Sequence, residues 1–517
     1  MASLPTKLFT VRTLARAGVA KPVRPDRLVR GLRVLRAWGK TPAAGYGVSA
    51  ARYPDAPAVI DELGTITFAE LDRRTNAIAR AWKADGIGPG RTVAILCRNH
   101  RGFVEATVSA SKAGANMLYL NTSFAAPQIA EVCDAEQPTA IVHDDEFEGL
   151  LGEVGALRRY VMWPDQLASG GDERPLQPPE NPGRVVILTS GTTGAPKGAG
   201  RHHPTSLDPA AALLDMIPLR ARQRTLIAAP MFHSWGLAHF NLGLTLSTTL
   251  VLLPRFDPDK VLDAVAQHRV EALIVVPLML QRLLEAQRER RRDVSSLRIV
   301  AASGSPLPGH LANDVMDVFG DVLYNLYGST EVAWATIATP GDLRDAPGTA
   351  GRPPHGTVLR LYDQEGVEVP RGGHGRIYVR NEMQFEGYTG GGGKDMIDGL
   401  MSSGDVGHID ANGRLFVDGR DDEMIISGGE NVFPREVEDL LADHPAIEEV
   451  AVVGVDDEDF GQRLRAFVVL CPGEELGEEE VKAHVRDNLA RFKVPRDVVF
   501  LDELPRNATG KVLKRVL

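Results

Sequence analysis

Residues 188–198 read Leu-Thr-Ser-Gly-Thr-Thr-Gly-Ala-Pro-Lys-Gly and follow the apolar run Arg184-Val185-Val186-Ile187. A strand that empties into small residues leaves a loop where a sheet runs out. Gly191, Gly194 and Gly198 let several backbone N–H groups turn toward one point, and the hydroxyls of Thr189, Ser190, Thr192 and Thr193 with the Lys197 ammonium add further donors. A concave set of donors with a positive charge is what a polyphosphate needs, so this stretch predicts a phosphate cradle. It is not a Walker loop: counting from Gly191, Pro196 stands where the second glycine belongs and Gly198 where the magnesium-binding hydroxyl belongs. The same composition alone would also suit a flexible linker, and it is the ordered string that separates the two readings.

Five hundred and seventeen residues exceed one ordinary core and predict a large domain with a smaller one. The longest apolar run, Ala272 to Leu280, is interrupted by Pro277 and falls well short of the ~20 residues of a membrane span. Cys97, Cys133 and Cys471 lie too far apart for a disulfide framework or a zinc site, which suits a reducing cytoplasm. Of the net charge of −10, residues 1–40 carry +9 (ten Lys or Arg against Asp26), which leaves −19 on the rest. An acidic body argues against nucleic acid as a partner. Within the basic segment, Leu28, Leu32 and Leu35 recur at helical spacing among Arg27, Arg30, Arg33 and Arg36. Such a helix fits either peripheral contact with an anionic membrane or packing of its leucines on the main domain. An Arg-rich, acid-poor start is also the composition of an organellar transit peptide, although serines are few and no cleavage pattern is evident.

From Tyr53 the pattern becomes regular. A hairpin around Leu63-Gly64 leads into a capping box, Thr67 to Glu70, and a helix with Phe68, Leu71, Ile78 and Trp82 on one face. Strands at 92–97, 116–120 and 139–143 alternate with helices at 102–113 and from about 127. Alternation of this kind means a parallel sheet covered on both faces. Further on, glycine-rich stretches at 348–354 and 375–388 read as short strands of a small barrel, and 423–517 as a compact α+β unit.

Four more stretches carry chemistry. Pro230-Met231-Phe232-His233-Ser234-Trp235-Gly236 sets a histidine among aromatics, ordinarily a core arrangement. The strand 298–302 delivers Ser303-Gly304-Ser305. Tyr324-Asn325-Leu326-Tyr327-Gly328-Ser329-Thr330-Glu331 offers an aromatic to stack on a purine, an amide to bond it, a hydroxyl for phosphate and a carboxylate for a hard cation. Ser402-Ser403-Gly404-Asp405 supplies an acid able to accept from two ribose hydroxyls, and Leu504-Pro505-Arg506-Asn507-Ala508-Thr509-Gly510-Lys511 places a lysine near the terminus.

In this order the motifs resemble the adenylate-forming superfamily of acyl-CoA synthetases, luciferases and peptide-synthetase adenylation domains, over about residues 45–517. The resemblance implies an α/β fold: a large N-terminal domain of layered α/β subdomains plus a small barrel, with a mobile α+β C-terminal domain. The implied boundaries are 1–45 for the basic segment, 46–418 for the adenylating domain, 419–422 for the hinge and 423–517 for the small domain. It implies ATP binding by Thr189, Ser190, Gly191, Thr192, Thr193, Gly194, Lys197, Gly304, Ser305, Asn325, Tyr327, Gly328, Thr330, Asp405, Arg420 and Lys511, with Glu331 on Mg²⁺. Phe232, His233, Trp235 and Gly236 border the acyl pocket, Gly428, Gly429 and Asn431 the coenzyme A arm, and Asp422 is the pivot. The implied catalytic set is Lys511, Thr330, Glu331 and His233.

The implied reaction joins a carboxylic acid to AMP and then to coenzyme A, with no protein nucleophile. Ile426 to Glu438 looks more like fatty-acyl ligases, so a medium- or long-chain fatty acid is the expected substrate. An aryl or branched acid, transfer to a carrier protein, and a non-catalytic acyl or nucleotide sensor are the alternatives. Gly375-Arg376 and Leu400 depart from the Gly-Glu pair and the Trp usual in the family, which touches packing more than chemistry.

Overall fold

Thr67 opens the helix Phe68–Ala84 as its spacing predicts: Glu70 N–H donates to Thr67 Oγ1 at 3.3 Å, and Thr67 N–H donates back to Glu70 Oε2 at 2.8 Å. These reciprocal bonds satisfy helix donors that would otherwise be orphaned. Leu71, Ile78 and Trp82 are the buried face of that helix, and Trp82 is among the largest fully enclosed side chains. The structure, a computed structural model, describes residues 4–21, 23–155, 157–163, 171–189, 197–201, 206–389, 391–427, 430–457, 461–507 and 510–517.

Two sheets form the body. The six-stranded one has the order Arg158–Trp163, Ala140–Asp144, Thr92–Leu96, Asn116–Tyr119, Val185–Thr189, Lys197–Arg201. Its first five strands are parallel, and the last pairs antiparallel, Thr189 opposite Lys197. The residues that flank the glycine-rich stretch, Thr189 and Lys197, are therefore held opposite each other by the sheet. The eight-stranded sheet runs Thr336–Ala338, Leu323–Tyr327, Ile299–Ala302, Ala272–Val275, Arg224–Ile227, Thr249–Val251, Pro57–Asp61, Gly64–Thr67, parallel except at its two edges. Burial on both faces accounts for the runs of Val, Ile, Leu and Ala in the inner strands.

Where the small barrel was expected, a five-stranded antiparallel sheet follows, built on Val358–Tyr362, His374–Arg380, Leu400–Ile409 and Leu415–Arg420 with the short strand Met396–Ile397. The expected strands at 348–354 and 375–388 are corrected here. Residues 348–354 make only isolated bridges, because Pro353 and Pro354 have no N–H to give a ladder, and the second strand ends at Arg380. The C-terminal unit has its own core of Ile425, Val432, Val437, Leu441, Val452, Val468 and Val481 around a sheet of Ile425–Ser427, Glu430–Val432, Ile447–Asp457, Gly461–Leu470 and Asp497–Phe500. The fold is thus a large α/β N-terminal domain carrying a smaller C-terminal one.

Residues before Tyr53 form three helices, Leu4–Arg16, Pro25–Trp38 and Pro42–Arg52, of which the sequence reading had only the middle one. The third starts from Thr41, whose Oγ1 accepts from Ala44 N–H at 3.2 Å. Leu28, Leu32 and Leu35 stay 45%, 56% and 41% exposed, so the expectation that they pack into the main core does not hold. The helix turns Gly31 toward Arg52 instead, and the leucines edge one end of the large cleft. No described helix is long and apolar enough to cross a membrane.

The two sheets are clasped at Asp61, whose side chain is 0% exposed. Its carboxylate accepts from Arg101 Nε at 3.0 Å and from the Arg101 backbone N–H at 2.9 Å, while the guanidinium also donates to Gly64 O at 2.7 Å. The hairpin of one sheet is so bound to the helix Arg101–Ala113 that packs beside the other. Asp61→Ala leaves a largely buried guanidinium with Gly64 O but no counter-charge, and we expect a loss of about 3–5 kcal/mol, read as a lowered denaturation midpoint. An unchanged midpoint would show that the clasp is not a structural anchor.

Candidate active site

Parallel strands end together, and here three of them end at one place. Ala272–Val275, Ile299–Ala302 and Leu323–Tyr327 run into Val276-Pro277, Ser303-Gly304-Ser305 and Gly328-Ser329-Thr330, the region outside carboxyl ends where open sheets hold ligands. The cleft they open into measures about 2660 Å³. One small ligand needs roughly 300–1,000 Å³, so the space accommodates more than one substrate. Gly304, Ser305, Asn325, Tyr327, Gly328, Thr330 and Glu331 line it from the sheet, Asp405 and Arg420 from the antiparallel sheet, and Lys511 from the C-terminal unit.

Asp405 is where these bodies meet. It pairs with Arg420 across the Leu400–Ile409 and Leu415–Arg420 ladder, with Arg420 NH1 3.6 Å from Oδ1. The Tyr327 hydroxyl donates to Asp405 Oδ2, with Ser403 Oγ 3.1 Å from the same hydroxyl. Burial pushes the Asp405 carboxyl up from its usual range, and Tyr327, Arg420 and Lys511 pull against that. The same enclosure, with the carboxylate alongside, drives the Tyr327 phenol well above its ordinary value, so it stays a donor. Lys511 is presented by a tight turn: its N–H donates to Asn507 Oδ1 at 2.9 Å, and Gly510 N–H to Asn507 O at 2.9 Å. Gly510 abuts Leu278 of the large domain.

Glu331 lies on the other side of the Tyr327 turn. Its Oε1 accepts from the Tyr388 hydroxyl at 2.8 Å and its Oε2 from Ser329 Oγ at 3.0 Å. Gly328 is required by close approach, since a Cβ there would stand 2.1 Å from Ala333 O. Asn325 is buried, lines the cleft, and its Oδ1 has no hydrogen-bond partner among the described residues. Tyr388 and Ser329 were missed by sequence reasoning. A partner 57 residues away leaves no local signal.

Another wall of the cleft is set by the turn before the helix Ser234–Leu246. Asn99, also missed, holds that turn: its Nδ2 donates to Ile227 O at 3.0 Å and Ala229 O at 2.9 Å, while its Oδ1 accepts from Met231 N–H at 2.9 Å. Phe232, His233 and Trp235 line the cleft, and Trp235 Nε1 donates to Val275 O at 2.9 Å. Gly236 does not line it. A Cβ at Gly236 would stand 2.4 Å from Pro230 O, so this glycine serves the packing of the helix start on the turn, a correction to its expected place at the acyl pocket. Burial lowers His233 to about 4 and keeps it neutral, with Nε2 unpaired among the described residues.

The sequence matches the description "AMP-binding enzyme" over residues 47–389 and "AMP-binding enzyme C-terminal domain" over 436–511. The chain belongs to the AMP-binding enzyme family, the adenylate-forming superfamily. It is 35% identical over 467 residues to a feruloyl-CoA synthase of an Amycolatopsis species, covering 89% of this chain and 95% of that one. An indoleacetate–CoA ligase of Aromatoleum aromaticum is 34% identical over 488 residues, covering 90% and 94%. Among solved structures, o-succinylbenzoate CoA synthetase from Bacillus subtilis with its acyl-adenylate superposes at a TM-score of 0.82, with 28% identity, covering 91% and 97%. The protein is accordingly an enzyme, an AMP-forming acid–thiol ligase.

Several expected site residues of the ligase fall outside what can be placed. Ser190, Gly191, Thr192, Thr193, Gly194, Gly428 and Gly429 lie outside the described residues. Thr189 and Lys197 are located by their backbone at the two ends of the loop hairpin, Asn431 in the strand Glu430–Val432, and Asp422 in the short turn Asp421–Glu423.

His233 and His239 are both buried and held neutral, with values near 4 and 3 against an ordinary 6.5. Below pH 6.5 the unfolded chain therefore takes up protons that the folded ligase does not, so stability rises with pH up to that point and then levels. We expect the melting temperature to fall between about pH 6.5 and 5, less steeply in a His233→Asn/His239→Leu variant. Parallel slopes in the two proteins would contradict this.

Proposed function

We propose that this ligase activates an aryl-bearing carboxylic acid with ATP and passes the acyl group to coenzyme A, with pyrophosphate and AMP as products. The observation that carries the reading is the convergence of Lys511, Asp405, Tyr327 and Glu331 on one cleft beside the aromatic pocket of Phe232, His233 and Trp235. The aryl preference rests on the relatives named above and on that pocket, and it replaces the fatty acid expected from Ile426 to Glu438.

In the proposed first step, Asn325 Oδ1 accepts from the exocyclic amine of adenine and the Tyr327 face supports the base. Asp405 accepts from the ribose hydroxyls, and Arg420 steadies Asp405. The loop 189–197, with Lys197, cradles the β- and γ-phosphates, while Thr330 bonds the α-phosphate. The donor set also suits Mg²⁺, which is commonly held by one or two carboxylates together with substrate phosphates. Glu331, oriented by Tyr388 and Ser329, is the carboxylate for it, and the cation when bound neutralises charge on the triphosphate. The acid carboxylate attacks the α-phosphorus, the bond to the pyrophosphate oxygen breaks, and Lys511 bridges the developing charge.

The hinge 419–422 then turns the unit 423–517 about Asp422 and withdraws Lys511. The coenzyme A thiol enters beside Gly428, Gly429 and Asn431, and attacks the acyl carbon while AMP leaves. His233, neutral, borders both the carboxylate and the thiol path.

Pyrophosphate release with ATP, Mg²⁺ and a panel of aryl, branched and fatty acids, with and without coenzyme A, tests the reading. Turnover with aryl acids and dependence of thioester on coenzyme A are expected, whereas exclusive use of fatty acids, or no turnover, would sink it. An ammonium ~4 Å from an oxyanion is worth about 4 kcal/mol at an effective dielectric near 20, so Lys511→Ala should slow adenylation by about a thousandfold. The same variant should still convert supplied acyl-adenylate to thioester. Equal loss of both half-reactions would contradict the domain rotation.

A further inference from the structure

The helix Ser234–Leu246 brings a second histidine to the cleft, and the reaction above does not use it. His239 is 3% exposed, lines the cleft, and its Nδ1 has no hydrogen-bond partner among the described residues. Trp235 stands edge-on to its ring, centroids 4.3 Å apart at 83°, but the indole N–H is already given to Val275 O. Leu213, Ile217, Leu237 and Leu242 of the same apolar core also line the cleft. Burial lowers His239 to about 3, so its ring is neutral, with one N–H and one lone pair.

An enclosed polar nitrogen without a partner is costly, and a leucine or phenylalanine would fill that volume without the cost. The enclosed nitrogen therefore calls for a ligand group there. Six residues separate His239 from His233, a rise of about 9 Å along the helix. That span matches an acid whose carboxylate sits at the His233 end and whose ring reaches His239.

We propose that His239 forms a polar subsite of the acid pocket that selects aryl acids bearing a hydrogen-bonding group on the ring distal to the carboxylate, a phenolic hydroxyl or a ring N–H. The proposal rests on the aryl-acid reading. Trp235 flanks the ring and, with its own N–H committed to Val275, leaves His239 to hold the substituent. An acid lacking the substituent leaves the imidazole nitrogen unpaired, which is how a site built for a hydrogen bond discriminates against the bare analogue.

The test uses the full chain and the acid-dependent exchange of pyrophosphate into ATP. Matched acids are compared, 4-hydroxycinnamate with cinnamate and indole-3-acetate with its N-methyl analogue, alongside octanoate and decanoate. The wild-type enzyme should favour at least one donor-bearing acid over its bare partner by about tenfold or more in kcat/KM, mostly through KM. His239→Leu should abolish that ratio while holding the bare acid within about threefold, and His239→Asn should restore part of it. The inference is overturned by a wild-type enzyme indifferent to the substituent, or by an undiminished ratio in His239→Leu. Should the leucine variant not fold, an unchanged ratio in His239→Phe overturns it equally. Aryl acids used with a ratio that ignores residue 239 defeat this inference alone, whereas turnover confined to octanoate and decanoate defeats the aryl reading as well.

Discussion

A buried carboxylate tolerates its charge only where donors converge on it, and Asp405 obtains them from three separate parts of the chain. Tyr327 comes from the end of a strand in the eight-stranded sheet, Arg420 from the neighbouring strand of the antiparallel sheet, and Lys511 from the C-terminal unit. Desolvation raises the carboxyl and these partners only partly offset it. Removing one contributor shifts that opposition for the others, and under the proposed function this would couple the position of the small domain to the state of the nucleotide site.

The same cluster explains why a chain of this kind needs two bodies. On the function proposed above, the glycine-rich loop and the strand ends cradle phosphates and a base, and the cation that meets charge developing at the α-phosphorus leaves before the thiol approaches. A lysine on a turn in the C-terminal domain, held by Asn507 and set beside Leu278, can be delivered and withdrawn as one piece. Another contact between the bodies is polar: His310 Nδ1 lies 2.9 Å from Asp443 Oδ1. Exposed pairs of this sort contribute little to stability, which suits the domain rotation proposed above.

Much of this was legible in the residues because local rules and the global fold agree. The Thr67–Glu70 box, the alternating strands and helices from Thr92 to Asp144 and Pro434 at a helix start all stand where their spacing puts them. What escaped notice depended on distance in sequence or on burial. Tyr388 orients Glu331 across 57 residues, and Asn99 braces a turn more than 130 residues away. His239 sits in an apolar helix with the look of core, and only the enclosure of its unpaired nitrogen distinguishes it. Gly236 was misread in the opposite direction, as a pocket residue, when its want of a Cβ serves close packing on Pro230. At 348–354 the glycines suggested strands, but two prolines deny the ladder its donors.

On the proposed function, one nucleotide is held at once by the strand ends, the 400–420 strands and the C-terminal turn. Hydrogen–deuterium exchange with ATP and Mg²⁺, in the absence of any acid, measures it most directly. Slowed exchange should appear together in 185–201, 323–331, 400–420 and 505–513. Protection confined to the large domain, with 505–513 exchanging as in the free protein, would contradict it.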